Sequence, residues 1–216
     1  MVIIGAKGFA KEVLEVLHQS LHPLSKIAFF DDVNTDLPDL LFGEFRILKN
    51  KDDVLNYFNQ TDKQFTLGIG GPINRAKLAA RFENWGGVLT SVISPKANIG
   101  SFNVTLESGL SLMTGTTLTS DIIIKKGSLI NLHCTVGHDS TIGRFVELSP
   151  GVHVSGRCTI GDYCNLGTNA TLLPEITLGE NVVVGAGAVV SKDVPSNSVV
   201  VGIPAKIIKE LPPIVV

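Results

Sequence analysis

The chain has 216 residues, room for one large or two small domains. Its formal net charge of −2 gives no electrostatic case for binding nucleic acid or an anionic membrane surface. No run approaches the roughly eighteen apolar residues of a membrane helix, and the opening segment, Met1-Val-Ile-Ile-Gly5, carries neither a basic stretch nor a long apolar core. A cytoplasmic protein is expected.

Residues 2–4 read as a short apolar strand and Gly5-Ala6-Lys7-Gly8 as a turn. Phe9, Val13, Leu14, Val16 and Leu17 then recur at close to helical spacing over 9–18. A glycine-rich turn between a strand and a helix N-terminus offers backbone N–H groups and a positive dipole end to a phosphate. A second strand over 27–30 ends in Asp31-Asp32. These lie about twenty residues past the glycines, where a βαβ nucleotide fold puts a carboxylate for ribose or base hydrogen bonds. As a dinucleotide fingerprint the turn is poor, because Gly5-x-x-Gly8 lacks the first spacing of G-x-G-x-x-G. The competing reading is a plain strand-to-helix turn. Residues 54–58 read as a short helix, 65–69 as a strand entering the glycine-rich loop 68–71, and 74–85 as a helix stopped by Gly86-Gly87. A last strand is expected over 88–93. The alternation of strand and helix predicts a small, parallel, Rossmann-like α/β domain over residues 1–92.

From Leu106 the pattern changes. Every sixth residue is aliphatic through Val190, fifteen consecutive hits in a chain that is 44% hydrophobic. Four residues after most hits comes a small or β-branched side chain, as at Thr116, Ser128, Cys134, Ser140, Cys158, Cys164, Ala170 and Ala188. A step of six fits neither a helix, near 3.6, nor a flat strand, at two. It fits a solenoid with six-residue faces whose coil closes after eighteen residues, burying one continuous apolar column. Glycines directly after a hit, such as Gly137, Gly143, Gly161 and Gly167, are expected to ease the turns. The register slips by one residue between Ile99 and Leu106 and is lost after Val190. All three cysteines fall on the small-residue position, so they are expected to fill the coil interior and not to hold a metal or form disulfides.

The motif aliphatic-Gly-x-x-small-x resembles the hexapeptide-repeat acyltransferases. Periodicity alone gives a parallel β-helix over residues 93–216; its left hand is implied by the resemblance, since parallel crossovers are otherwise almost always right-handed. The small leading domain, with Gly5-Ala6-x-Gly8 and Asp31-Asp32, narrows this. The whole chain resembles the sialic acid O-acetyltransferase and nucleotide-sugar N-acetyltransferase family of bacterial glycan synthesis. That resemblance implies acetyl-CoA as co-substrate, with no metal. It implies a nucleotide-linked amino sugar held by Gly5, Ala6, Lys7, Gly8, Phe9, Asp31, Asp32 and the 68–71 loop with Gly70. Phe9 stands where relatives often have His. It also implies a homotrimer with active sites between subunits.

His138-Asp139 follows Val136 on the outside of its coil. Acyl transfer from a thioester to an amine needs a base for the amine's proton. A histidine is largely neutral at cellular pH, and a neighbouring carboxylate can orient its ring. The resemblance makes His138 that base. One coil on is Gly156, whose N–H is available to the oxyanion. Asn131 is implied as a sugar contact, and Gly156, Thr168, Ala186 and Gly187 as coenzyme A contacts. Gly202-Ile-Pro-Ala-Lys206 matches the family's closing motif, in which the lysine is near the coenzyme A phosphates; a plain cap with a solvated lysine is the other reading. His133 and His138 form His-x4-His, as in zinc-binding β-helix enzymes, but there is no histidine between His22 and His133 to supply a third ligand two coils earlier. Glu147 stands where some relatives have a second histidine.

The expected activity is acetyl-CoA-dependent N-acetylation of a nucleotide-linked 4-amino-deoxy sugar in surface-glycan synthesis. O-acetylation of a sialic acid or related sugar is the alternative, and a non-catalytic sugar-nucleotide binder a further one.

Overall fold

The computed structural model describes residues 1–214. Its first part contains β1 (Val2–Ile4), α1 (Gly8–Gln19), β2 (Ala28–Phe30), β3 (Leu40–Leu41), β4 (Phe45–Leu48), α2 (Lys51–Gln60), β5 (Gln64–Leu67), α3 (Pro72–Asn84) and β6 (Val88–Leu89). The sheet order is β3-β4-β2-β1-β5-β6, parallel except for the antiparallel edge strand β3. β1 is buried along its whole length, as suits the inner strand of a sheet covered on both faces.

Local chemistry explains where the elements depart from the sequence reading. α2 starts before Val54 because Asn50 caps it, accepting the Asp53 N–H at 2.9 Å, and Asp52 and Asp53 face the positive end of the dipole. α3 starts at Pro72, whose fixed φ suits the first helical position. The hairpin of β3 and β4 was not expected, since residues 40–48 show no sustained alternation. The single strand expected over 88–93 is two strands. Val88–Leu89 pairs with β5, whereas Val92–Ile93 pairs with Ser111–Leu112 in the repeat region.

That region is a left-handed parallel β-helix, a three-sided prism of short stacked strands. Through the regular coils a strand residue pairs with the one eighteen positions later: Leu129 with Glu147, Thr135 with His153, and Thr141 with Thr159. The first coil carries the expected extra residue, so that Ile99 pairs with Leu118 while Leu106 pairs with Ile124. After Val190 the step shortens, and Val184 pairs with Val200. An exposed antiparallel strand, Lys206–Glu210, closes the end. The sixth-residue aliphatics and the small side chains four residues after them form one buried column.

The corners run on a different principle from the one expected. The glycines directly after the aliphatic position do not have positive φ. A Cβ on Gly137 would stand 2.7 Å from the Gly156 nitrogen, so this glycine admits the backbone of the next coil. The left-handed backbone falls two residues later, at Asp121, His133, Asp139, Phe145 and Arg157, with φ between 51° and 59°, and at their equivalents in the other coils. Positive φ turns that residue's N–H toward the preceding coil: Arg157 donates to the His138 carbonyl at 2.7 Å and Asp139 to the Ser120 carbonyl at 3.2 Å. These bonds repeat up each edge and offset a strain of roughly 1–2 kcal/mol per non-glycine corner.

The two parts share cores. Met113 and Leu129 of the β-helix join the cluster around α1, and Phe145 joins the one beneath α3.

Candidate active site

His138 and Asp139 occupy the corner that follows strand Thr135–Val136. The left-handed conformation of Asp139, φ 58°, swings its side chain back so that Asp139 Oδ2 and His138 Nδ1 lie 2.6 Å apart. Both side chains are about half exposed, at 52% and 56%. With Nδ1–H donated to the carboxylate, Nε2 keeps a lone pair able to accept a proton, as a base requires.

Gly156 lies beside this ring. A Cβ there would stand 2.7 Å from both His138 Nε2 and Cε1. Its carbonyl accepts the Glu175 N–H at 3.0 Å, and among the described residues its own N–H has no acceptor. A half-exposed imidazole and an amide with no acceptor among the described residues therefore lie side by side on neighbouring coils, a proton acceptor next to a hydrogen-bond donor.

Other expected residues gather elsewhere. Asn131, Thr168, Ala186 and Gly187 lie on the preceding edge of the prism, after the face that holds Leu129–Ile130, Asn165–Leu166 and Val183–Val184. Gly187 donates to the Thr168 carbonyl at 2.9 Å, and Asn131 Oδ1 accepts the Leu132 N–H at 2.7 Å. Lys206 is exposed in the closing strand. Within one chain the expected residues thus occupy two edges.

In the N-terminal part, Gly5, Asp31 and Asp32 meet in a cavity of about 400 Å³ that Ile69, Asn74 and Lys77 help to line. Gly5 has φ 102° and lies so close to the next loop that a Cβ would stand 2.7 Å from Ile69 Cγ2. Asp31 Oδ1 accepts the Val33 and Asn34 N–H groups at 3.1 and 2.9 Å, and Asp32 pairs with Arg81 at 2.6 Å. Arg81 in turn lies over Trp85 and Phe30. Ala6, Lys7, Gly8 and Phe9 do not line this cavity. Ala6 is buried, Lys7 precedes α1 and pairs with Asp36 at 3.7 Å, and Phe9 packs on the α1 core. Gly70 faces Glu147, whose carboxylate would be 3.3 Å from a Cβ placed there.

Asn74, Lys77 and Arg81 escaped the sequence reading. The available signal was their recurrence on one face of α3, directly after Gly70-Gly71-Pro72.

His133 lies over Gly115 on the preceding edge, so it does not converge with His138. Among the described residues no three His, Cys, Asp or Glu side chains form a metal-holding group. The three cysteines are buried, and burial pushes Cys134 up to about 11 and Cys164 up to about 12, as befits inert fillers. No helix among the described residues is long and apolar enough to cross a membrane.

A prism of hexapeptide coils with a His–carboxylate pair on its edge, joined to a small α/β domain, defines an acyltransferase class. Known proteins agree. The family model for the PglD N-terminal domain matches residues 1–82, and that for the bacterial transferase hexapeptide matches 139–174 and 157–192. WeeI of Acinetobacter baumannii is 33% identical, over 96% of this chain and 98% of its own, with a TM-score of 0.87. A variant of the perosamine N-acetyltransferase of Caulobacter crescentus, in complex with CoA and GDP-perosamine, is 28% identical over 97% and 96%, with a TM-score of 0.87. The acetyltransferase domain of PglB of Neisseria gonorrhoeae, bound to acetyl coenzyme A, is 27% identical over 96% and 98%, with a TM-score of 0.84. No match is found among curated proteins. The chain belongs to the nucleotide-sugar acetyltransferase family of hexapeptide-repeat enzymes, and it is an acetyltransferase that uses acetyl-CoA.

Proposed function

We propose that this enzyme transfers the acetyl group of acetyl-CoA to the amine of a nucleotide-linked 4-amino-deoxy sugar used in bacterial surface-glycan synthesis. The observation that carries the reading is the 2.6 Å His138–Asp139 contact beside the free Gly156 N–H. The amine nitrogen attacks the thioester carbonyl carbon, and the oxyanion that forms is bound by Gly156 N–H. His138 Nε2 takes the amine proton, and Asp139 stabilises the imidazolium. Collapse breaks the C–S bond, and the imidazolium returns a proton to the leaving thiolate. No covalent acyl-enzyme is required.

The cavity over Gly5, Asp31 and Asp32 suits the nucleotide, with Lys77 as cation for its phosphates and Asn74 as a polar partner. The crystallised perosamine enzyme holding a nucleotide-linked amino sugar supports that substrate class. Asn131, Thr168, Ala186, Gly187 and Lys206 are assigned to sugar and coenzyme A. Because they lie on a different edge from His138, a homotrimer that sets one copy's edge against the next copy's is the assembly proposed, working in the cytoplasm.

The test is thiol release from acetyl-CoA with GDP- and UDP-linked 4-amino sugars and with free sialic acids, alongside light scattering. Turnover with an amino sugar, in a particle three times the 23.0 kDa chain mass, is expected. Turnover only with a sialic acid would replace the reading by O-acetylation.

A further inference from the structure

Glu147 faces outward from the first side of the prism, in a vertical row with Ser111, Leu129, Asn165 and Val183. It is the one acidic member of that row, and its Oε2 accepts the Gly71 N–H at 2.6 Å. Gly71 is the residue from which α3 springs. The same loop is also held by Arg75 of α3, a completely buried side chain. The Arg75 guanidinium donates to the Ile69 carbonyl at 2.8 Å, to the Leu67 carbonyl at 3.3 Å and, from two nitrogens, to the Gly127 carbonyl at 2.9 and 3.3 Å. Gly127 is a β-helix corner, φ 73°. Burial pulls Arg75 down to about 10, and the nearby Glu147 carboxylate opposes that pull.

The loop held this way is Gly68-Ile-Gly-Gly71, whose three glycines give it little conformational preference of its own. Ile69 forms part of the wall of the nucleotide cavity. Glu147 reaches the loop from the β-helix, which also carries the acetyl-transfer edge, and Arg75, on α3, ties the loop to the same β-helix through the Gly127 carbonyl. Glu147 belongs to the coil that begins at His138, and Gly127 to the coil before it. The loop is therefore fixed relative to the chemistry, and not merely to its own domain.

We propose that Glu147 and Arg75 are a positioning pair that clamps the 68–71 loop onto the β-helix and thereby sets where the nucleotide cavity stands relative to His138. This rests on the nucleotide-site reading above. In this chain Glu147 acts on the backbone of the loop and takes no part in proton transfer. Removing the clamp loosens nucleotide binding and leaves the acetyl-CoA side of the site alone.

The experiment combines amide hydrogen exchange over residues 68–74 with calorimetric binding of UDP, GDP and coenzyme A to the full chain and to two variants. Glu147→Ala removes the acceptor, whereas Glu147→Gln keeps an oxygen for the Gly71 N–H. For Glu147→Ala, exchange in the 68–74 segment is expected to speed up at least tenfold. Affinity for the nucleotide that the wild type binds should fall about tenfold, with coenzyme A affinity unchanged. Glu147→Gln should restore most of the protection. Wild-type protection and nucleotide affinity in Glu147→Ala would overturn the clamp, as would equal losses for nucleotide and coenzyme A. If the wild type binds neither UDP nor GDP, the nucleotide-site reading fails; unchanged exchange in Glu147→Ala would separately sink the contact itself.

Discussion

Replacing Gly156 by Ala tests the chemistry with one methyl group. The new Cβ would lie 2.7 Å from His138 Nε2 and Cε1, where ordinary contact begins at 3.4 Å, so the ring must withdraw by about 0.7 Å. His138 is half exposed, and its ring can yield without moving backbone. Gly156 does not have positive φ, so alanine meets no backbone strain. Stability should therefore change by no more than about 0.5 kcal/mol. Catalysis should not escape. The displaced ring loses its alignment with Asp139, and the methyl crowds the approach to the Gly156 N–H. Misplacement by about 1 Å costs on the order of 100-fold, so a fall in kcat of roughly 30- to 100-fold is expected. Gly137→Ala is the matched control. Its Cβ would strike the backbone at Gly156 N, 2.7 Å, and Ser155 C, 2.8 Å, neither of which is free to rotate away. That variant should lose about 1–3 kcal/mol of stability. Thiol release from acetyl-CoA with the preferred sugar nucleotide gives kcat, and urea unfolding gives stability. A folded Gly156→Ala enzyme within threefold of wild-type kcat would refute the placement of the reaction at this corner.

Three further outcomes follow from the same geometry. Asp139→Asn keeps a residue type that tolerates positive φ but leaves a neutral partner 2.6 Å from His138 Nδ1, and kcat should drop at least tenfold while the melting temperature holds. Arg75→Ala strips the donors from the Gly127 and Ile69 carbonyls in a buried junction, and urea unfolding should show a loss of about 3 kcal/mol. Burial raises the Cys134, Cys158 and Cys164 thiols in the folded state, so unfolding releases protons once pH passes the ordinary thiol range. Stability is then fully present below about pH 8.5 and falls as pH rises toward the folded values of Cys134 and Cys164, about 11 and 12. A variant with alanine at all three positions should show a flatter urea midpoint over that range.

How legible all this was depended on how each residue is constrained. The interior of the β-helix repeats one environment coil after coil, so the sixth-residue aliphatics, the small fillers and the slip before Leu106 were plain in the sequence, and the eighteen-residue step put Gly156 beside His138. The corner conformation was invisible. Asp139, Phe145, Arg157 and Tyr163 share positive φ but no chemistry, because stacked hydrogen bonds impose it, not local propensity. The glycines were found for the wrong reason, since what they provide is room for the neighbouring coil. In the leading domain, Gly5, Asp31 and Asp32 stood out by spacing, whereas Asn74 and Lys77 looked like any polar helix face. Glu147 and Arg75 could not be paired with their partners at all, since Gly71 N–H and the Gly127 carbonyl are backbone atoms that come close only through the tertiary fold.

Between Leu106 and Val190 the constant step of eighteen residues also makes the prism a ruler. Each coil adds one strand spacing, roughly 4.8 Å, to the height of everything above it. Excising a whole coil between Gly156 and the closing strand would lower Lys206 toward His138 by that one unit and leave the register of every remaining residue intact. Removing a single residue would instead turn the stacked column out of alignment. Within these regular coils height is thus graduated in whole turns, and the irregular steps of nineteen and sixteen residues are confined to the two ends of the prism.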